Sequence, residues 1–129
     1  MSPVIGGTVI ISDGEYPTLF LVDTGAEQTV LGSDFAEALE PYKMTMADAY
    51  LISPAGKVDS YSARVRLAFV DTTGRKIGFG LTCSVLTDPT QANTHLLGRD
   101  ILDEFTVICD RRGNVVTLLY PPHTYQIVG

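Results

Sequence analysis

Between Val65 and Val85 the chain alternates apolar and polar positions with a period of two. Val65, Leu67 and Phe69 interleave with Arg64, Arg66 and Ala68, and beyond Asp71-Thr72-Thr73-Gly74 the series Ile77, Phe79, Leu81, Cys83 and Val85 repeats the pattern. Successive side chains of an extended chain point to opposite faces, so these residues form two strands with one face against a core and a turn between them. Wound into a helix, the same residues would be scattered around its circumference. Twelve Gly and seven Pro among 129 residues supply the tight turns that such a chain needs. The expectation is an all-β protein, a single domain over residues 1–129.

Three more hairpins fit this pattern. Val4 to Ile11 and Pro17 to Val22 flank Ser12-Asp13-Gly14-Glu15, where an Asp-Gly step between apolar runs signals a turn and delivers Asp23 at a strand end. Ala49 to Ser53 and the run from Val58 are joined through Pro54-Ala55-Gly56-Lys57, with Pro early and Gly late as a β-turn requires. Phe105 to Asp110 and Asn114 to Tyr120 form a last hairpin around Arg111-Arg112-Gly113, ended by Pro121-Pro122. Helix is confined to two short stretches, Ser33 to Glu40 with Pro41 as a stop, and a turn beginning near Gly98-Arg99-Asp100-Ile101-Leu102.

Charge and composition exclude several classes of function. Nine Lys+Arg against fifteen Asp+Glu give a formal charge of -6. The basic residues are not clustered, so no nucleic-acid partner is expected. The apolar run Leu19-Phe20-Leu21-Val22 falls far short of the roughly 20 residues that span a bilayer, and no membrane association is expected. Met1-Ser2-Pro3-Val4 lacks the layout of a secretory leader, so the expected setting is the cytoplasm or a larger polyprotein. Cys83 and Cys109 read as two buried apolar thiols, with a disulfide as the alternative. With His95 and His123 they lack the spacing of a metal site, so neither a metal nor a cofactor is expected.

Two segments carry chemistry: Phe20-Leu21-Val22-Asp23-Thr24-Gly25-Ala26-Glu27-Gln28-Thr29-Val30-Leu31 and His95-Leu96-Leu97-Gly98-Arg99-Asp100-Ile101-Leu102. The first places an acid after a buried strand and before Thr-Gly, where the backbone turns closely and holds the carboxylate rigid. Together they resemble the retropepsins, the retroviral-type aspartic proteases. In that family two apolar residues precede Asp-Thr-Gly-Ala, and a second signature of apolar residues, Gly-Arg-Asp and a short helix lies near the C-terminus. The likeness runs from about Thr8 to Tyr120.

The resemblance implies a small closed β-barrel-like fold with one or two short helices, forming one half of a twofold-symmetric dimer. It implies an aspartic endopeptidase with Asp23, Thr24 and Gly25 as its catalytic segment and a peptide or protein as substrate. Hydrolysis by water between two carboxyl groups needs one ionised and one protonated, and this chain offers a single Asp-Thr-Gly. The second carboxylate must come from another copy, and the pair then titrates as a unit. By the same resemblance, Thr24 braces the opposite subunit, Gly25 approaches the substrate backbone, Ala26 leaves room for it, and Glu27 is a substrate-binding residue that also pairs with Arg99. Ile52, Ala55, Gly56 and Val58 belong to the hairpin that closes over bound peptide, the flap. Val30, Leu31, Ile52 and Val58 are candidates for apolar pockets, with plain core as the alternative, the two standing about equal for Leu31. Asp100, near a helix start, reads as structural. The alternative from another class is a catalytically inactive module of the same fold that dimerises or binds peptide.

Overall fold

The computed structural model describes residues 3–44, 50–53, 56–110, 112–113 and 115–120. The strands are β1 (Val4–Ile11), β2 (Gly14–Val22), β3 (Val30–Leu31), β4 (Tyr50–Ser53), β5 (Gly56–Val70), β6 (Lys76–Leu86), β7 (Leu96–Leu97), β8 (Thr106–Asp110) and β9 (Val115–Leu119). The α-helices are α1 (Ala36–Leu39) and α2 (Arg99–Leu102), each a single turn. The all-β reading holds.

The alternating segment becomes the long antiparallel pair β5 and β6, with Val65 opposite Leu81, Leu67 opposite Phe79 and Phe69 opposite Ile77. Its turn is organised by Asp71, whose Oδ1 accepts the Thr73 N–H at 2.9 Å, the Thr73 hydroxyl at 2.6 Å and the Arg75 N–H at 2.9 Å. These bonds, that of the Thr73 hydroxyl foremost, hold the Asp71 carboxyl below its usual range. Gly74 takes the left-handed conformation, φ 88°, that closes the turn.

Six strands run in the order β1-β2-β7-β3-β6-β5, and β1 pairs back onto β5 through Thr8 with Ala68, Val9 with Leu67 and Ile10 with Arg66. The sheet therefore closes into a barrel, with β4 attached to β5 outside the ring. Closure buries one face of every long strand. Val9, Phe20, Leu31, Leu39, Leu67, Val85, Leu97 and Ile101 are wholly or almost wholly inaccessible and fill the interior. Cys83 lies among them as a free thiol, and burial pushes it up to about 12. β8 and β9 form a separate two-stranded sheet, docked on the barrel by Phe105, whose ring meets Phe79 at 5.7 Å and Tyr120 at 5.5 Å.

Two local expectations are corrected. The first turn lies at Ser12-Asp13 rather than at Asp13-Gly14: Ser12 adopts φ 52°, and Gly14 already pairs with Ile11 as the first residue of β2. The Tyr16 hydroxyl lies 2.7 Å from where a Gly14 Cβ would stand, but it is the tip of an exposed side chain that can swing aside. Pro41 does not end the helical run. Ser33–Phe35, α1 and Glu40–Tyr42 follow one another, and Pro41 sits at the start of the last, a 3-10 turn, where its missing N–H costs nothing. The hairpin of β4 and β5 forms, with Ser53 opposite Gly56, but Pro54 and Ala55 lie outside the described residues, as does Ala49. The side chains of Ile52, Val58 and Cys109 and the tail from residue 121 are likewise outside them. Among the described residues no helix is long and apolar enough to cross a membrane.

Backbone meets backbone at two glycines. A Cβ on Gly32 would fall 2.4 Å from the Ala92 carbonyl oxygen, and one on Gly98 would fall 2.5 Å from the Gln28 carbonyl carbon. Neither neighbour is a side chain that can swing aside. Gly32→Ala and Gly98→Ala should each cost about 2–3 kcal/mol in denaturant midpoints. Gly78→Ala, with 3.8 Å to its nearest neighbour, should stay within about 0.5 kcal/mol. Equal costs at all three positions would show that the close approaches do not govern stability.

Candidate active site

β7 carries the second signature segment into the barrel between the two halves of the first. Leu96 stands opposite Leu21 of β2 on one side, in parallel, and opposite Val30 of β3 on the other, antiparallel. The chain from Asp23 to Thr29 therefore leaves the barrel as a loop beside β7 and returns. At its start the Asp23 N–H donates to the Leu97 carbonyl at 3.1 Å, and the Ala26 N–H donates to the Asp23 carbonyl at 3.2 Å. The Gly25 N–H donates to Asp23 Oδ1 at 3.0 Å. One carboxylate oxygen is thus fixed by the turn, and the half-buried side chain sits at a strand end with its backbone locked.

The far side of the loop is tied down by a polar knot. Asp100 accepts the Thr29 N–H at 3.1 Å and 3.0 Å through its two oxygens, and its Oδ1 accepts the Thr29 hydroxyl at 2.7 Å and the Ile101 N–H at 2.9 Å. Thr29 Oγ1 in turn accepts the Gly98 N–H at 3.2 Å, and Thr29 has no exposed surface. The Arg99 and Asp100 N–H groups donate to the Ala26 and Glu27 carbonyls at 2.8 and 3.2 Å. Gln28 completes the fastening, donating to the Thr82 carbonyl at 3.1 Å and accepting from Ser84 Oγ at 3.0 Å. Asp100 thus does more than favour a helix start: it joins segments 71 residues apart. The signature segment contains Gln28 and Thr29 but does not give their roles, because their side-chain partners lie 54 or more residues away.

The remaining site residues divide by exposure. Thr24 and Gly25 are exposed, and the Thr24 hydroxyl makes no hydrogen bond among the described residues. Glu27 Oε1 lies 3.3 Å from the Arg99 guanidinium, with the side chains 88% and 48% exposed, so within one subunit this is a solvated pair that adds little stability. Val30 and Leu31 are buried with the core in the single subunit. Gly56 begins β5, across from Ser53 of β4. Among the described residues no three His, Cys, Asp or Glu side chains gather as a metal site.

Neither a protein-family model nor a curated protein matches the sequence. Solved structures do match in shape. The EIAV protease complexed with the inhibitor HBY-793 superposes with a TM-score of 0.52 at 24% identity, over 80% of this chain and 86% of that one. The retroviral protease-like domain of Ddi1 from Leishmania major superposes with a TM-score of 0.53 at 17% identity, over 95% of this chain and 97% of that one. The chain has a retropepsin-like fold.

Because the Asp100 carboxylate satisfies a buried amide and a buried hydroxyl, Asp100→Ala should cost about 2–3 kcal/mol in chemical denaturation. Asp100→Asn retains an acceptor and should lose clearly less. If both variants match the parent, the knot does not hold the loop.

Proposed function

We propose that the protein is an aspartic endopeptidase that acts as a homodimer, each copy contributing Asp23. The observation that carries this reading is the presentation of Asp23 in a retropepsin-like fold: its backbone is locked at a strand end, one carboxylate oxygen is held by the Gly25 amide, and among the described residues the exposed Thr24 hydroxyl beside it has no hydrogen-bond partner. A single chain brings one such carboxylate, which is half of what the chemistry needs. Two copies related by a twofold axis bring the pair, and each Thr24 then has a backbone amide of the partner loop to bond.

The chemistry follows from that pairing. The ionised carboxyl takes a proton from a water held between the two side chains, and the water oxygen attacks the carbonyl carbon of the peptide. The protonated carboxyl gives its proton to the carbonyl oxygen, forming a neutral tetrahedral diol. When the C–N bond breaks, the newly protonated carboxyl gives its proton to the leaving nitrogen, the other carboxylate takes one from a diol hydroxyl as the carbonyl re-forms, and the pair is back to one shared proton. Gly25 and Ala26 provide the floor along which an extended peptide lies, recognised through its main chain. Ile52, Ala55, Gly56 and Val58, in and beside the β4 and β5 hairpin, close over it as a flap. The Glu27 and Arg99 pair stiffens the loop beneath and gains strength once a partner subunit covers it.

Association brings together two chains that each carry a formal charge of -6, so cleavage should rise with moderate salt and with protein concentration. Asp23→Asn should abolish cleavage of a peptide library. Mixed in equal amounts with the parent under subunit exchange, it should reduce activity to about a quarter of that expected for two active copies, because only the parental homodimer keeps both carboxyls. A loss in simple proportion to dilution would place the whole active site in one chain. No cleavage by the parent, with dimers intact, would establish the inactive module instead.

A further inference from the structure

His95, which the catalytic reading leaves unused, fastens the other end of β3. Its Nδ1 accepts the Gly32 N–H at 3.0 Å, and its backbone carbonyl accepts the Leu21 N–H at 2.8 Å. The half-buried ring stands edge-on to Phe35 at 5.3 Å and to Phe20 at 6.3 Å. Gly32 cannot shift freely to find another partner, because the Gln91 and Ala92 carbonyls crowd it. β3 is therefore held at Thr29 by Asp100 and at Gly32 by His95, with β7 between it and the strand that carries Asp23. A ring that accepts at Nδ1 carries its single proton on Nε2, an assignment that follows from the hydrogen bond. The ring also borders an open cavity of about 380 Å³ shared with Thr18, Leu19, Asp34 and Asn93, through which a proton can arrive.

We propose that His95 is a positioning residue that holds β3, and through it the Asp23 loop, only while its ring is neutral, so that its protonation sets a lower pH limit on the active arrangement. This rests on the endopeptidase reading for its effect on activity, but not for the latch itself. The imidazolium has an N–H at both nitrogens, so Nδ1 would point a donor at the Gly32 donor, and a buried amide would lose its partner. Burial lowers the ring's pKa below its ordinary value, and Asp34, on the same 3-10 turn as Phe35, opposes this. Tyr16 lies behind Phe35, 6.2 Å away ring to ring. Phe20 of β2 and Asn93 of the preceding loop bring no charge to the ring. With the folded value below the unfolded one near 6.5, the latch is intact above the unfolded value and is lost as pH falls from there through the folded value.

The test follows the Gly32 amide by NMR in the full chain between pH 7.5 and 4.5, beside peptide cleavage over the same range. In the parent, the Gly32 amide should titrate together with the His95 ring, and its hydrogen exchange, corrected for intrinsic pH dependence, should rise at least about tenfold across that transition. His95→Asn keeps an acceptor that does not titrate, so its Gly32 amide should stay protected, and the acid limb of cleavage should move down by roughly one pH unit. A Gly32 amide indifferent to ring protonation overturns the latch, and the parent alone decides that point if the variant does not fold. An acid limb in His95→Asn unchanged from the parent overturns the link to activity. A titrating Gly32 amide in a chain without peptidase activity supports the latch and counts against the endopeptidase reading alone.

Discussion

The bonds between Asp100 and Thr29 are the constraint on which the rest of the site depends. β7 is only two residues long and has no length of ladder with which to hold itself between β2 and β3. What keeps it there is the carboxylate that follows it, which satisfies both polar hydrogens of a threonine with no access to water. Were that carboxylate removed, a buried amide and hydroxyl would be left unpaired, and the cheapest relief would be to let water into the crossing. The Leu97 carbonyl, which fixes the Asp23 backbone, lies just before this crossing. Order at the carboxylate is thus inherited from order at the knot.

How much of this could be read from the sequence depends on the range of the interaction. Period-two alternation is local, so β5 and β6 and their turn at Asp71 to Gly74 were legible residue by residue. Closure of the ring was implied only by the family resemblance, and the pairing that achieves it, through Thr8, Val9 and Ile10, was not legible, because no composition or turn signal says which distant strand a sheet will meet. The first turn was misplaced by one residue. The positive φ that closes this turn falls on Ser12, and Gly14 already belongs to the following strand. Asp100 was legible as a residue with a structural role and Thr29 as part of a motif, but their pairing across 71 residues was not.

At the site itself, the segment from Asp23 to Leu31 was conspicuous as a motif, and its parts prove to do different work. Asp23, Thr24 and Gly25 lie at or near the surface of the single subunit. Thr29, Val30 and Leu31 anchor the loop in the interior. The sequence weighed pocket against core at Val30 and Leu31, and in the lone subunit both are packed inside. Alternating polar and apolar character cannot distinguish a side chain that faces a ligand from one that faces a neighbouring strand, since both environments are apolar.

The close approach of Gly98 to Gln28 and Thr29 has a consequence for how such a chain can diverge. Positions 29, 98 and 100 occupy one small volume, and a bulkier residue at any of them displaces the others. Substitutions there should be strongly non-additive, so that an exchange harmful alone becomes tolerable only alongside a matching one about seventy residues away. For heritable variation, two stretches at opposite ends of the polypeptide behave as one locus.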